Sequence, residues 1–302
     1  MRRSAEQERA LLAAMPAVFV LIWSTGFVVA RYGMPHAPPL GFLALRYALS
    51  VLAFGVWIAW SRAAWPLGRT QWAHLAVAGA LMHAGYLGGV WMAIKGGIGA
   101  GTVALIIGLQ PVLTALWLSA SATAQAVAAR QWAGLLLGLS GLLLVVGQRL
   151  GSGEVTPSNL SLAVVALFSI TAGTLYQKRF VQPCDVRTAN AVQLAAALLV
   201  TAPLAWYEAD GQGQWQSHPE LFGAMAWSVL VLTLGGSSLL YLLIQRGAAT
   251  RVASLMYLVP PCTALLAWLL FREPLTPSVL LGLVVTAVGV ALVVREPVRR
   301  AQ

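Results

Sequence analysis

The sequence contains few charged residues. Asp, Glu, Lys and Arg make up 9% of its 302 residues, whereas about a quarter of the residues of a soluble domain are charged. Hydrophobic residues account for 59% of the chain. So much apolar surface cannot all be buried in one water-soluble core, so the composition excludes an ordinary soluble domain and predicts a membrane protein.

Cysteine, histidine and acidic residues are also scarce, which excludes several kinds of site. Cys184 and Cys262 give no disulfide framework, and the four histidines are scattered along the chain at positions 36, 74, 83 and 218. All nine acidic residues lie at helix ends, in loops or in the termini. No H-E-x-x-H motif and no membrane aspartate is present. We therefore expect no enzyme activity, no cofactor and no metal site.

Long apolar runs dominate what is present. From Leu11 onward, runs of roughly 20 residues follow one another, each long enough to cross a hydrocarbon core of about 30 Å. The start is also typical of a signal peptide, but no small-residue cleavage site follows, so we interpret it as the first membrane helix. We predict an all-α integral membrane protein with ten transmembrane helices, at residues 11–32, 38–60, 70–94, 99–119, 130–149, 159–180, 187–207, 220–245, 249–271 and 277–295.

The basic residues predict how these helices are oriented. The net charge of +10 does not indicate a nucleic-acid binder, because the lysines and arginines lie in short loops. With a cytoplasmic N-terminus, fourteen of the nineteen basic residues fall in cytoplasmic segments and four at the outer ends. An even number of spans then places both termini in the cytoplasm, in a bacterial-type inner (plasma) membrane.

The chain repeats itself at an offset of about 150 residues. The segment "AIKGGIGAGTVALIIGLQP" aligns with "LIQRGAATRVASLMYLVPP", and further on Gly134 and Gly141 align with Gly282 and Gly289. We predict two repeats of five helices each, residues 1–150 and 151–302. Because five is odd, the second repeat enters the membrane from the opposite side, and the two repeats are inverted.

Paired prolines interrupt corresponding helices of the two repeats. Pro111 aligns with Pro261, which follows Pro260. Proline removes a hydrogen bond from the helix ladder, so we predict that these three residues act as hinges. Inverted repeats with interrupted helices are typical of secondary transporters that work by alternating access.

Several of these segments resemble a known family. They are "LIWSTGFVVAR" at 21–31, "FLALRYALS" at 42–50, "ALIIGLQPVLTALW" at 104–117 and "PPCTALLAWLLFREPLT" at 260–276. They resemble the drug/metabolite transporter superfamily, in its ten-helix branch with two EamA-type repeats. The chain is most similar to exporters of aromatic and other neutral amino acids. This resemblance implies a secondary transporter. One difference is "SASATAQAVAA" at 119–129, where the family often has an acidic turn like that around Glu273.

Polar and aromatic residues within the predicted spans indicate a central cavity that binds a small molecule. The candidates for substrate binding are Trp23, Ser24, His83, Tyr86, Gln110, Ser169, Tyr176, Ser238, Tyr241 and Tyr257. His83 either contacts substrate and carries protons or is a neutral histidine satisfied by a neighbouring helix. Arg46 and Lys95 could attract an anionic substrate, but Arg46 is rather expected to reach the outer interface or to pair with Glu273, and Lys95 to extend to the interface. For each aromatic residue, ordinary packing is the alternative.

Other functions stay open at this point. The chain could export other small metabolites or drugs, such as purines or cationic compounds, or act as a non-coupled facilitator channel. The G-x-x-x-G spacing in "GLLLGLSG" at 134–141 permits close helix contact, either inside a monomer or in a weak homodimer. The expected partners are a small-molecule substrate and the lipid bilayer, without nucleic acid.

Overall fold

The chain folds into helices. The computed structural model describes residues 2–120, 129–151, 153–209, 215–239 and 258–294, and these ranges contain no β-strand. Their α-helices are α1 Arg2–Gly33, α2 Pro39–Ser61, α3 Arg69–Gly79, α4 Tyr86–Lys95, α5 Ala100–Ile107, α6 Gln110–Ala120, α7 Ala129–Gly151, α8 Pro157–Phe180, α9 Val186–Ala209, α10 Pro219–Ala226, α11 Val259–Phe271 and α12 Pro277–Val294.

Five helical segments are long and apolar enough to cross a membrane. They are Pro39–Ser61, Arg69–Lys95, Pro157–Phe180, Val186–Glu208 and Pro219–Ser237. Five shorter apolar segments are Val18–Gly33, Ala100–Thr114, Trp132–Gly147, Val259–Phe271 and Pro277–Leu292. All ten lie on predicted spans, although the number of helices that cross the bilayer stays a prediction.

Two π-helical segments interrupt the α-helical pattern. The first, Ala80–Gly85, joins α3 to α4, and the second, Trp227–Ser237, follows α10. The i→i+5 hydrogen bonds of a π-helix shift the register of the side chains that follow, and such segments are frequent at functional sites. They lie at similar positions in the two predicted repeats.

Prolines lie in the first turns of α6 and α11. α5 ends at Ile107, α6 begins at Gln110, and Pro111 lies in the first turn of α6. Pro260 and Pro261 lie in the first turn of α11. In a first turn the backbone N–H has no partner within the helix, so proline costs no hydrogen bond there. A Cβ at Gly108 would lie 2.7 Å from Cγ of Pro260, so the turn between α5 and α6 lies against the start of α11.

Carboxylates cap helices at one end of the bundle. Glu208 accepts hydrogen bonds from the backbone N–H groups of Leu40 (2.8 Å) and Gly41 (3.0 Å) at the start of α2. Glu154 accepts one from Gly99 N (2.9 Å), and Glu273 accepts one from Ala100 N (3.1 Å), at the start of α5. Negative charge is favourable at a helix N-terminus. These acidic side chains therefore have structural partners away from the middle of the bundle.

Candidate functional site

A cavity of about 90 Å³ lies between α1, α2, α4, α8, α9 and the two π-helical segments. A single buried water needs about 10–15 Å³ on this scale, so the space can hold several waters or a small molecule. Trp23, Tyr86 and Trp91 supply aromatic surface, with aliphatic residues such as Val90 and Leu232 beside them. The polar side chains on the wall include Arg46, His83, Gln177, Asn190 and Gln193. The cavity therefore combines a largely apolar wall with a small group of polar atoms.

Arg46 is the cationic side chain of this wall. It lies on α2 with 6% of its surface exposed. Its Nε and Nη2 donate to Thr233 Oγ1 at 3.2 and 3.1 Å, and Thr233 Oγ1 donates to the Ser228 carbonyl at 2.8 Å. The prediction that Arg46 reaches the outer interface or pairs with Glu273 is therefore wrong. Helix α2 packs against α9 and the second π-helical segment, which turns the guanidinium inward.

Three of the predicted site residues come together in the cavity: Trp23, His83 and Tyr86. Tyr47 Oη donates to the His83 carbonyl at 2.9 Å and so supports the π-helical turn that carries this histidine. Trp91 stacks on Phe42 with ring centroids 4.5 Å apart. Because these rings are held by their neighbours, the aromatic side of the cavity is formed in advance of any ligand.

Three amide side chains from α8 and α9 line the same cavity. Gln193 Nε2 donates to Gln177 Oε1 at 3.0 Å, and Asn190 Nδ2 donates to the Val186 carbonyl at 2.8 Å. Asn190 and Gln193 are three residues apart and share one helix face. A Cβ at Gly79 would lie 2.5 Å from Cα of Gln193, so a glycine at this position lets α3 approach α9. This close approach positions the amide of Gln193 on the cavity wall.

Five other predicted site residues are described but do not line the cavity. Ser24 is buried and donates to the Val20 carbonyl at 2.8 Å. Gln110 donates to Thr174 Oγ1 at 3.1 Å, and Tyr176 Oη bonds to His74 Nδ1 at 2.8 Å. Ser169 lies against Gly85, whose added Cβ would be 2.6 Å from its Oγ. Ser238 is buried next to Ser237, which does line the cavity. Tyr241 and Tyr257 lie outside the described residues.

Arg46 was expected mainly at the outer interface, and Gln177, Asn190 and Gln193 were missed from the sequence as site candidates. The sequence did contain a signal for Arg46. A charged residue inside an apolar run is energetically costly, so it faces a protein interior or an interface, and it usually has a function. For Asn190 and Gln193 the signal was their three-residue spacing. Nothing in the sequence pairs Gln177 with Gln193.

One group of potential metal ligands lies away from the cavity. His36 and His218, treated above as scattered, stack with centroids 4.1 Å apart, and Glu220 lies beside them. The two histidines are far apart in the sequence, but a loop contact, Gln216 N to the His36 carbonyl at 2.9 Å, joins their segments. His36 Nε2 bonds to Glu220 Oε2 at 3.2 Å, and His218 Nδ1 accepts from Glu220 N at 3.3 Å. These contacts explain why the three side chains lie together, and they do so without a metal ion.

Comparison with known proteins identifies the family. A profile of the EamA-like transporter family matches residues 10–147 and again residues 158–295. The chain belongs to this family, as the sequence resemblance predicted, and it is a membrane transporter rather than an enzyme.

Similar proteins cover nearly the whole chain. An uncharacterized transporter, YvbV, of Bacillus subtilis (strain 168) is 27% identical over 288 residues, which cover 93% of this chain and 90% of that protein. A probable amino-acid metabolite efflux pump of Salmonella typhimurium (strain LT2) is 26% identical, over 89% of this chain and 90% of that one. A solved crystal structure shares the fold, with a TM-score of 0.62 and 18% identity over 92% of this chain and 95% of that chain.

Proposed function

We propose that this transporter exports small neutral metabolites, above all aromatic and other neutral amino acids, by alternating access around the cavity. The observation that carries the proposal is the cavity itself. Aromatic rings of Trp23, Tyr86 and Trp91 form one side, and polar groups that include Arg46 and His83 lie with them. Such a combination suits a small molecule with an apolar side chain and a polar end.

The proposed architecture is ten transmembrane helices in two inverted repeats, residues 1–150 and 151–302. Two features support it. The π-helical segments Ala80–Gly85 and Trp227–Ser237 lie at equivalent positions when the chain is shifted by about 150 residues. The cavity also takes its wall from both halves, as expected for a site between two repeats that exchange conformations.

The proposed location is a bacterial-type inner membrane with both termini in the cytoplasm. The distribution of basic residues supports this orientation, because Lys and Arg are enriched in cytoplasmic loops. The amino-acid substrate class is supported by the similarity to the Salmonella protein, a probable amino-acid metabolite efflux pump. We also propose Pro111, Pro260 and Pro261 as hinges, since each lies in the first turn of a helix, α6 for Pro111 and α11 for the other two.

The test is transport by the purified protein in liposomes, with a panel of labelled amino acids, in the presence and absence of a pH gradient. We expect saturable flux of Trp, Phe, Met or Thr without a gradient, because no carboxylate lines the cavity in the described ranges. Absence of flux for every amino acid, with flux of nucleosides or cationic drugs, would overturn the substrate class.

A matched pair of glycine variants links the flux to the cavity. Gly26 lines the cavity, so Gly26→Leu fills it and should abolish the flux. Gly55 is exposed on α2, and a Cβ there meets nothing within 4 Å, so Gly55→Leu should transport like the unmodified protein. Equal flux in both variants would show that another route carries the substrate.

A further inference from the structure

Arg46 is a buried cation without an anionic partner in the structure as described. All five acidic side chains that the structure describes have contacts elsewhere. Glu154, Glu208 and Glu273 bond to backbone N–H groups at helix starts, Glu220 lies beside His36, and Asp185 pairs with Arg187. A buried charge without a partner is strongly unfavourable, more so within a membrane. The protein therefore keeps a cation in its cavity at a cost in stability.

The hydrogen bonds of Arg46 leave part of its guanidinium for a ligand. A guanidinium has five N–H donors in a planar fork. Two of them, on Nε and Nη2, share the single acceptor Thr233 Oγ1. Thr233 is neutral, so it orients the fork without neutralising its charge. A carboxylate is the ligand group that matches this fork, because its two oxygens accept two parallel N–H bonds.

The rest of the polar wall does not provide an equivalent site for an ammonium group. Apart from Arg46, the polar groups of the wall are three amides, His83, the hydroxyls of Tyr86 and Ser237 and the indole N–H groups of Trp23 and Trp91, and none of these carries a full negative charge. Near a guanidinium, an ammonium group is repelled, whereas a carboxylate is attracted. The aromatic rings of Trp23, Tyr86 and Trp91 can hold the apolar part of a ligand whatever its charged end.

We infer that the cavity selects its substrates by their carboxylate, through Arg46, and does not require an α-ammonium group. The substrate class is then small monocarboxylates with an apolar side chain, of which neutral amino acids are one kind. This inference rests on the proposed function, because it assigns the substrate chemistry of the same cavity. Amines and amides that share the side chain but lack the carboxylate are excluded.

The experiment measures binding by the purified protein, as the ligand-induced rise in thermal denaturation midpoint and by calorimetry. Four compounds share one phenyl ring: phenylalanine, 3-phenylpropionate, which lacks the ammonium group, 2-phenylethylamine, which lacks the carboxylate, and phenylalanine amide. We expect the first two to bind and the last two to bind at least about 30-fold more weakly, as for loss of one partner of a buried charge pair.

Variants of Arg46 test whether this side chain binds the carboxylate. Arg46→Gln should remove the difference between 3-phenylpropionate and 2-phenylethylamine, and Arg46→Lys, which keeps the charge without the fork, should retain part of it. Arg69→Gln removes a cation that is exposed at the start of α3 and should change nothing. If Arg46→Gln fails to fold, binding of the four compounds to the unmodified protein and to Arg46→Lys still shows whether the cavity requires a carboxylate.

The outcomes separate this inference from the proposed function. Binding of 2-phenylethylamine as tight as that of phenylalanine, or binding of none of the four compounds, overturns the inference. If phenylalanine is transported and 2-phenylethylamine is transported equally well, the proposed function stands and the inference fails. If 3-phenylpropionate binds through Arg46 but no amino acid is transported, the inference stands and the amino-acid assignment fails.

Discussion

Gly141 of α7 and Gly282 of α12 pack backbone to backbone. A Cβ placed on Gly141 would lie 2.6 Å from the Gly282 carbonyl oxygen, and one on Gly282 would lie 2.7 Å from the Gly141 carbonyl oxygen. On the same two helices, a Cβ on Gly289 would lie 2.6 Å from the Gly134 carbonyl oxygen. In the sequence alignment Gly134 is equivalent to Gly282 and Gly141 to Gly289. The contact between Gly134 and Gly289 is therefore equivalent to the contact between Gly282 and Gly141 when the two repeats are exchanged. This equivalence supports a two-fold relation between the proposed repeats.

This packing makes Gly141→Val a test of the α7–α12 contact. The added methyl groups have no space, so the free energy of unfolding should fall by about 1–3 kcal/mol, the usual cost of overpacking. The measurement is the thermal denaturation midpoint in detergent. Gly147→Val is the matched control, because a Cβ at Gly147 on the same helix meets nothing within 4 Å. Equal midpoints for the two variants would contradict the close approach.

His83→Ala should lower the rate of transport and weaken substrate binding, since His83 lines the cavity. His74→Ala is the comparison, because His74 lies outside the cavity and bonds to Tyr176 Oη. Transport rate and binding are measured in liposomes at several pH values. If His83→Ala keeps the affinity and the pH profile of the unmodified protein, His83 is a packing residue, which was the alternative interpretation of the sequence.

Pro111→Ala should reduce turnover with little change in substrate affinity or stability. The stability should change little because Pro111 lies in the first turn of α6, where its N–H is not needed by the helix. Turnover should fall because the break before α6 would become easier to close into one continuous helix. Pro203→Ala, inside α9 and exposed, serves as the control for proline removal in general. Unchanged turnover for Pro111→Ala would remove its hinge role.

Asp185, in the loop before α9, should make a pH-dependent contribution to stability. Hydrogen bonds from Arg187, with Nε at 2.9 Å and Nη2 at 2.6 Å, hold the pKa of the Asp185 carboxyl below its ordinary value. A lowered pKa in the folded state means that the contribution is present above the ordinary pKa of 3.8 and is lost as the pH falls through the folded-state value.

Asp185→Asn measures this contribution. The unmodified protein should be more stable than the variant by about 0.5 kcal/mol at neutral pH, as is typical of a partly exposed ion pair. The difference between the two denaturation midpoints should shrink below about pH 4. A difference that grows as the pH falls would contradict the ion pair.

Much of the fold could be predicted from the sequence, because length and hydropathy determine where a helix can span a bilayer. The rotation of each helix could not be predicted in the same way. Span two is apolar on nearly all sides, so its hydrophobic pattern does not show which face turns toward the interior. Its orientation depends on the contacts that α2 makes with α9 and the second π-helical segment.

The π-helical segments explain another error in the predicted site. Ser238 was predicted from α-helical spacing, whereas Ser237 lines the cavity. Trp227–Ser237 is π-helical, and its i→i+5 hydrogen bonds shift which residue reaches a given face. In contrast, His83 and Tyr86 were predicted to share a face and both line the cavity, although His83 lies in the shorter π-helical segment and Tyr86 is the first residue of α4.

Counterflow tests the central claim, that the protein is a carrier of small neutral metabolites, above all neutral amino acids, with alternating access. Liposomes that contain the protein and are loaded with unlabelled phenylalanine are diluted into a trace of labelled phenylalanine. An alternating carrier predicts that label accumulates transiently inside above its external concentration, and that the Gly26→Leu variant shows no accumulation. Equilibration of label without overshoot, at a rate that does not saturate with concentration, would show a channel and contradict the account.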